Sequence, residues 1–266
     1  MKPVATLAVV TCPVPNAEAR LRLFCFPFAG ARASTFNSWL DKLPTALRLE
    51  IELCPIQLPG RETNRSELLF TRLSPLVEAL VPAFGSNLDK PFLFFGHSMG
   101  ALVSFELARQ FRRHQLPGPV HLVVSGYPAP QLPSRHPNIH HLPDSEFLAK
   151  IRNLGGTPDA ALDDSELMEL CLPVLRADFE TCETYTYADD EPLDCSITAF
   201  GGNDDRKVSR EELSAWQEQT RRPFSLRMFP GDHFFLLSAH LPVLLALAQD
   251  LRLVLRRLTR PSDVQH

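Results

Sequence analysis

The sequence lacks the features of a membrane-spanning protein and of a nucleic-acid-binding protein. No uninterrupted apolar stretch reaches the ~18 residues that a membrane-spanning helix requires. Positive charge is not in excess, because 27 Lys and Arg residues stand against 31 Asp and Glu residues, a formal net charge of -4. This balance gives no overall positive field that would attract nucleic acid or an anionic membrane. We therefore expect a soluble protein that has neither as a partner.

Signal-peptide and metal-binding patterns are also missing. The first ten residues contain a short apolar run, but Pro3 and Thr6 interrupt it and no convincing cleavage site follows. The six cysteines form no C-x-x-C pair and show no metal-type spacing. Several lie inside apolar runs, so we expect reduced, buried thiols in a cytoplasmic protein. The cysteines are Cys12, Cys25, Cys54, Cys171, Cys182 and Cys195.

The remaining sequence alternates short apolar runs with longer amphipathic segments. This alternation is typical of βαβ units around a mainly parallel sheet, and 266 residues with 44% hydrophobic content can bury one large core. Strands are predicted at residues 21–26, 51–56, 92–95, 122–125, 196–200 and 226–229. Helices are predicted at residues 35–43, 66–84, 99–114, 210–220 and 239–258. We expect an α/β fold with helices flanking the sheet.

Residues 127–193 break the alternation and predict a helical insertion. A proline-rich loop opens it, and helices are expected at residues 145–154, stopped by Gly155 and Gly156, and from Ser165 to Tyr185, restarted at Pro173. Because the insertion lies between two sheet strands, we expect a lid over the active site, with an ordinary surface elaboration as the alternative. The predicted organisation is an N-terminal extension (1–20), a core (21–126 and 194–260), the lid (127–193) and a tail (261–266).

A G-x-S-x-G motif, residues 96–100, identifies Ser98 as a candidate nucleophile. The motif follows a predicted strand and opens a predicted helix at Met99, which is the context of a nucleophile elbow. Glycines two residues away on both sides fit a turn too tight for side chains. The N-H of Met99 and that of Ala29, in the small-residue loop after the first strand, would form an oxyanion hole, with Phe28 as the alternative second donor.

A serine nucleophile needs an imidazole base and a carboxylate that orients the imidazole. Among nine histidines, His233 lies in a late loop between the last predicted strand and the final helix, whereas His97 is expected to pack nearby. The loop after the fifth strand offers two adjacent carboxylates, Asp204 and Asp205. The chain order Ser, Asp, His is that of α/β-hydrolases. Asp178 and Asp232 are weaker candidates for the acid.

The chain resembles type II thioesterases of polyketide and nonribosomal peptide pathways, which implies an α/β-hydrolase fold. The resemblance rests on the runs P-F-A-G, Q-L-P-G-R-E, G-H-S-M-G, L-R-A-D and P-G-D-H-F, spread from about residue 20 to 255. It favours Asp205 as the acid, through the spacing G-x-x-D-x-x-V from Gly202 to Val208. Ala31 departs from the glycine that the family often has. We interpret Arg61 as half of an Arg-Glu interaction fixing a Pro-Gly turn.

The resemblance implies a stand-alone serine thioesterase that hydrolyses acyl thioesters on the phosphopantetheine arm of acyl or peptidyl carrier proteins. Such an enzyme needs neither a metal nor an organic cofactor, and we expect a monomer. The alternatives are a carboxylesterase or lipase acting on free esters and a non-catalytic hydrolase fold used for binding. Carrier proteins are generally acidic, so we expect docking at the insertion, with Arg135, Lys150 and Arg152.

Overall fold

A six-stranded sheet forms the centre of the protein. The computed structural model describes residues 9–61 and 69–259. The strands lie in the order β2-β1-β3-β4-β5-β6, and all five neighbouring pairs are parallel. Their bounds are β1 (Leu21–Phe26), β2 (Ile51–Pro55), β3 (Phe92–His97), β4 (His121–Ser125), β5 (Ser196–Gly202) and β6 (Phe224–Phe229).

Helices cover both faces of this sheet. Ten α-helices are described: α1 (Trp39–Lys42), α2 (Thr45–Arg48), α3 (Leu73–Leu80), α4 (Met99–Arg113), α5 (Asp144–Leu154), α6 (Asp159–Leu162), α7 (Ser165–Glu183), α8 (Arg210–Ser214), α9 (Phe235–Ser238) and α10 (His240–Thr259). Short 3-10 helices span Ala33–Phe36, Val81–Asn87 and Ala215–Gln219. Within the described ranges, no helix combines the length and the apolar character that crossing a membrane requires.

Successive strand residues belong to two different cores. Phe24 and Phe94 face the cluster that contains α3 and α4, whereas Leu23 and Phe95 face the cluster that contains α1, α2 and α10. Side chains of a strand alternate between the two faces of a sheet, so a strand that is apolar throughout is buried on both sides. This explains why the strands read as continuous apolar runs, and the predicted fold class is confirmed.

Three predicted helices are divided in the structure. The segment predicted at 210–220 becomes α8 (Arg210–Ser214) and a 3-10 helix (Ala215–Gln219). The segment predicted at 35–43 divides into a 3-10 helix (Ala33–Phe36) and α1. The segment predicted at 66–84 becomes α3, with Pro75 in the first turn, followed by a 3-10 helix that has Pro82 near its start. Proline is tolerated in a first turn, where its missing N-H has no helical partner, but it interrupts a helix interior. Residues 66–68 of that prediction lie outside the described part.

The segment between β4 and β5 contains α5, α6 and α7, which pack around their own small apolar cluster. Helix α5 ends where predicted, since Gly155 adopts a left-handed φ of 78° as its C-cap. Helix α7 differs from the prediction, because it runs through Pro173 without a restart. Its N-terminus is capped by Asp164, whose side chain accepts a hydrogen bond from the Leu167 N-H.

Candidate active site

Ser98 occupies a sharp turn between β3 and α4. Its backbone has φ 52° and ψ -121°, and its N-H donates to the Ser125 carbonyl at 2.7 Å. A Cβ on Gly96 would lie 2.1 Å from the Gly100 carbonyl oxygen, and a Cβ on Gly100 would lie 2.2 Å from the Phe26 carbonyl oxygen. Both flanking glycines are therefore required by close backbone contacts. The turn places the Ser98 hydroxyl at the N-terminus of α4, where the helix dipole favours negative charge.

The structure brings His233 and Asp205 to Ser98. His233 lies in the loop between β6 and α9, with its Nε2 3.1 Å from the Ser98 Oγ. Its Nδ1 is 2.9 Å from the Asp205 Oδ2, and the Asp205 side chain is 0% exposed. The other carboxylate oxygen of Asp205 accepts the backbone N-H groups of Lys207 and Val208 at 2.7 and 3.2 Å. The carboxylate is thus held in one orientation toward the imidazole.

The other candidate acids do not bond to the His233 ring. Asp204 is exposed on the same loop. Asp232 caps its own turn, because its Oδ1 accepts the Phe234 N-H at 2.9 Å. Asp178 lies on α7 and binds the Gly30 N-H and Arg61 instead of a histidine. Of the four carboxylates that the sequence offered, Asp205 alone contacts His233.

His97 is fully buried beside this constellation. Its Nδ1 lies 2.9 Å from the Ser125 Oγ, as expected for a histidine that packs near the serine. Burial, together with the nearby His233, holds the pKa of His97 well below its usual value. His97 therefore stays neutral at physiological pH and adds no positive charge beside His233.

The two predicted oxyanion donors, Met99 and Ala29, both adjoin Ser98. Met99 is the first residue of α4, so its N-H has no partner within the helix. Ala29 lies in the turn after β1 and shares a small cavity of about 40 Å³ with Ser98 and His233. Within the described residues, no acceptor bonds to the Ala29 N-H. This arrangement can hold an oxyanion formed at a carbonyl attacked by Ser98.

A larger cavity of about 540 Å³ is also lined by Ser98 and His233. The loop after β4, the C-terminal end of α7 and the segment that follows α7 form most of its wall. Its apolar lining includes Tyr127, Ala129, Leu132, Ile139, Leu154, Phe179 and Tyr187. A cavity of this volume accommodates a ligand of small-drug size. We call it the chamber.

A group of possible metal ligands lies at β2, outside this site. Cys12 and Cys54 have their sulfur atoms 2.9 Å apart, with Glu52 beside them. Both oxygens of Glu52 are already engaged, one by the Arg22 guanidinium at 2.6 Å and one by the Asn16 N-H at 3.0 Å. The group therefore ties the N-terminal segment to the sheet edge. Sequence spacing gave no sign that these two cysteines meet.

The predicted Arg-Glu interaction involves Glu62, which lies outside the described residues, so it stays a prediction. Within the described residues, the Arg61 guanidinium bonds to Asp178 on α7. Asp178 also accepts the Gly30 N-H at 2.7 Å, so it links the L-R-A-D and Q-L-P-G-R-E runs to the loop that carries Ala29. Sequence reasoning missed this contact. The only sequence indication was that Arg61 and Asp178 each lie in a segment shared with type II thioesterases, Q-L-P-G-R-E and L-R-A-D.

Known proteins resemble this chain over most of its length. A family model described as Thioesterase domain matches residues 21–250. The chain is 49% identical to "Gramicidin S biosynthesis protein GrsT" of Aneurinibacillus migulanus, over 90% of this chain and 92% of that protein. It is 39% identical to "Thioesterase PikA5" of Streptomyces venezuelae, over 84% of this chain and 78% of that protein. The solved type II thioesterase BorB from the borrelidin biosynthetic cluster matches with a TM-score of 0.82 and 34% identity, covering 92% of this chain and 98% of that one.

The fold and the serine-centred site define an α/β-hydrolase. The family match over residues 21–250 and the 49% identical relative show more: the chain belongs to the thioesterase domain family. It is accordingly a hydrolase that acts on thioesters. The predicted resemblance to type II thioesterases is confirmed by the relatives and by the solved structures.

Proposed function

We propose that this protein is a stand-alone serine thioesterase that removes acyl groups from the phosphopantetheine arm of acyl or peptidyl carrier proteins in a nonribosomal peptide or polyketide pathway. The hydrogen-bonded series Ser98–His233–Asp205 beside the chamber carries the proposal. The pathway class is supported by the relatives, since one is named for gramicidin S biosynthesis and a solved one comes from the borrelidin cluster.

The proposed mechanism begins with acyl transfer to the enzyme. The Ser98 hydroxyl attacks the thioester carbonyl while His233 Nε2 takes its proton, and Asp205 stabilises the imidazolium that forms. The oxyanion of the tetrahedral intermediate accepts the N-H groups of Met99 and Ala29. The intermediate collapses by breaking the C–S bond, and the departing thiolate takes the proton from His233. An acyl ester on Ser98 remains.

In the second half of the reaction, water hydrolyses the acyl ester on Ser98 with the help of the same catalytic groups. His233 removes a proton from a water molecule that attacks the acyl ester, and the second tetrahedral intermediate again uses the oxyanion hole. Its collapse returns the proton to Ser98 and releases a carboxylic acid. The thioester carbonyl is electrophilic enough for this route without a metal or an organic cofactor.

The chamber is proposed to hold the acyl group, and residues 127–193 are proposed to act as a lid. Support comes from the chamber walls, because Leu132, Ile139, Leu154 and Phe179 all belong to that segment. We also propose a cytoplasmic location, since all six cysteines are free thiols, as is usual where disulfides are kept reduced. The proposed monomeric state is a further expectation that size-exclusion chromatography with light scattering would check.

The experiment compares three substrates with the same acyl group: the acyl-carrier protein, the acyl-pantetheine thioester and the matching oxygen ester. Carrier proteins with acetyl, longer acyl and aminoacyl loads form the panel. The proposal predicts the highest kcat/KM for a carrier-bound thioester. A carboxylesterase would instead favour the free oxygen ester, and equal hydrolysis with and without the carrier would remove the carrier protein from the proposed substrate.

A further inference from the structure

Asp178 forms a buried ionic contact next to the candidate oxyanion hole. It lies in the C-terminal half of α7 and is 6% exposed, as is Arg61. Its Oδ2 accepts both the Arg61 guanidinium and the backbone N-H of Gly30, the latter at 2.7 Å. Three separate segments therefore meet at one carboxylate oxygen: the loop after β1, the loop after β2, and α7.

The burial of this ion pair contributes little to the stability of the fold. Removing two charges from water carries a large desolvation penalty, so a buried ion pair contributes little net stability compared with apolar side chains of the same size. Arg61 is only partly satisfied: its Nη1 donates to the Pro59 carbonyl at 3.2 Å, but its Nε is buried without a partner among the described residues. Stability alone gives no reason for a charged pair at this place.

The Gly30 N-H belongs to a tight turn whose shape depends on one peptide group. The Ala31 N-H donates to the Phe28 carbonyl at 2.9 Å, and Gly30 has a left-handed φ of 76°. A positive φ at the third residue is characteristic of a type II turn, which differs from type I in the orientation of its central peptide. That central peptide joins Ala29 to Gly30. By accepting the Gly30 N-H, Asp178 fixes which way it faces.

A second residue of α7, Leu175, packs against the same turn. A Cβ on Gly30 would lie 2.4 Å from the Leu175 Cδ2, so the helix packs directly against the glycine. Leu175 is one turn of α7 before Asp178 and lines the small cavity that Ala29 and Ser98 share. The turn that contains Ala29 is thus held in place by α7 through both Asp178 and Leu175.

We propose that Asp178, held by Arg61, is a positioning residue for the oxyanion hole: it fixes the turn at residues 28–31 and thereby aims the Ala29 N-H at the reacting carbonyl. The inference rests on the proposed function, because it assigns Asp178 to the stabilisation of that oxyanion. It also makes a docked α7 a condition of catalysis.

The test compares Asp178→Leu with Asp178→Asn. The Gly30 N-H and the Arg61 guanidinium both donate to the Oδ2 of Asp178. Asparagine can keep a carbonyl oxygen at this position, whereas leucine has no acceptor there. We expect Asp178→Leu to lower kcat by about 10- to 100-fold with KM within about threefold, since small misplacements of a transition-state donor cost rate and not substrate binding. Asp178→Asn is expected to retain kcat within about fivefold of wild type, because it keeps that acceptor.

A reversible acyl trifluoromethyl ketone supplies a readout that a purely structural role would not move. Ser98 adds to the ketone, and the resulting oxyanion occupies the same hole as the transition state. The Ki should therefore rise in Asp178→Leu by about the factor by which kcat/KM falls. Asp250→Leu is the control, because Asp250 is also a buried carboxylate paired with an arginine, Arg227, and it does not contact the turn at residues 28–31. It should lower the unfolding midpoint and leave both kcat and Ki unchanged.

A second variant keeps the test decisive if Asp178→Leu does not fold. Arg61→Met removes the guanidinium that orients the carboxylate, and about a tenfold loss of kcat with a matching rise of Ki is expected. Unchanged kcat in folded Asp178→Leu or Arg61→Met, or a fall in kcat with unchanged Ki, would overturn the positioning role. A wild-type protein that does not hydrolyse thioesters would refute the proposed function itself.

Discussion

Ser98 holds a backbone conformation that residues other than glycine rarely adopt. A non-glycine residue in such a region costs about 1–3 kcal/mol and persists only where its surroundings enforce it. Here the Ser98 N-H is tied to the Ser125 carbonyl, and the glycines at positions 96 and 100 allow β3 and α4 to approach the turn. The strain places the hydroxyl at a helix N-terminus, within hydrogen-bonding distance of His233.

The two adjacent carboxylates of the loop after β5 provide a test at the residue scale. Asp205→Asn should lower kcat by about 10³- to 10⁴-fold, because an amide at this place favours the wrong tautomer of His233 and cannot balance an imidazolium charge. Asp204→Asn should change kcat by less than about threefold, since Asp204 is exposed and His233 bonds to its neighbour. Steady-state kinetics with one acyl thioester would measure kcat for both variants. The opposite ranking of the two variants would assign the orienting role to Asp204.

Sequence reasoning identified residues whose signal is local and missed those whose signal is distant. Ser98 has a motif around it, and His233 has a recognisable position in the chain order. Burial distinguishes Asp205 from Asp204, and the side-chain burial of two adjacent loop residues cannot be read from spacing. The contacts of Asp178 with Gly30 and Arg61 were missed because these partners are 148 and 117 positions away in the sequence.

At the scale of elements, the strands were easier to predict than the helix boundaries. All six strands coincide with the predicted segments, with ends that differ by up to two residues. Strands β1 to β5 are buried along their whole length, whereas β6 is only partly buried. Helix ends depend on capping and on proline, so the segment at 66–84 became α3 and a 3-10 helix. The short helices α2, α6 and α9 have four residues each and show too little periodicity to be predicted.

The chamber gives a prediction about acyl size. Leu132 lines it from the loop after β4, and Leu132→Trp adds a bulky ring that should occupy part of the space. We expect kcat/KM for an acyl chain of about eight carbons or longer to fall by about tenfold or more, whereas that for acetyl stays within about threefold, because a short acyl group leaves this region empty.

Leu241→Trp is the control for this substitution. Leu241 is 59% exposed on α10 and does not line the chamber, so it should leave the ratio of long-chain to acetyl hydrolysis unchanged. If Leu132→Trp lowered both rates equally, or raised the long-chain rate, the chamber would not be the acyl site.

At the scale of the whole molecule, the placement of charge bears on carrier docking. The basic end of α4 is partly neutralised, because Asp190 pairs with Arg112 at 2.9 Å and with Arg113 at 3.1 Å. It also lies about 20 Å along the helix from Ser98 at 1.5 Å per residue. On the insertion, Arg152 pairs with Asp159 and Asp163, and Arg135 pairs with Glu212. Lys150 is exposed on α5 of the insertion.

Lys150→Glu tests whether the carrier meets this face. Reversing one exposed charge at a docking surface should raise KM for an acyl-carrier protein by about three- to tenfold at low salt, and less at high salt. Hydrolysis of the matching acyl-pantetheine should be unchanged. Arg112→Glu is the matched control on the distant face. A larger increase of KM from Arg112→Glu than from Lys150→Glu would place the carrier at the end of α4.

Whether Ser98 attacks a carrier-bound thioester is measured by the rates at which wild type and Ser98→Ala convert one acyl-carrier protein to its free-thiol form. Mass spectrometry of the intact carrier follows the loss of the acyl group, and thermal unfolding shows whether the variant is folded. We expect Ser98→Ala to unfold like wild type and to hydrolyse the substrate at least about 10³-fold more slowly. A folded Ser98→Ala protein that works within tenfold of the wild-type rate would contradict the proposed attack by Ser98.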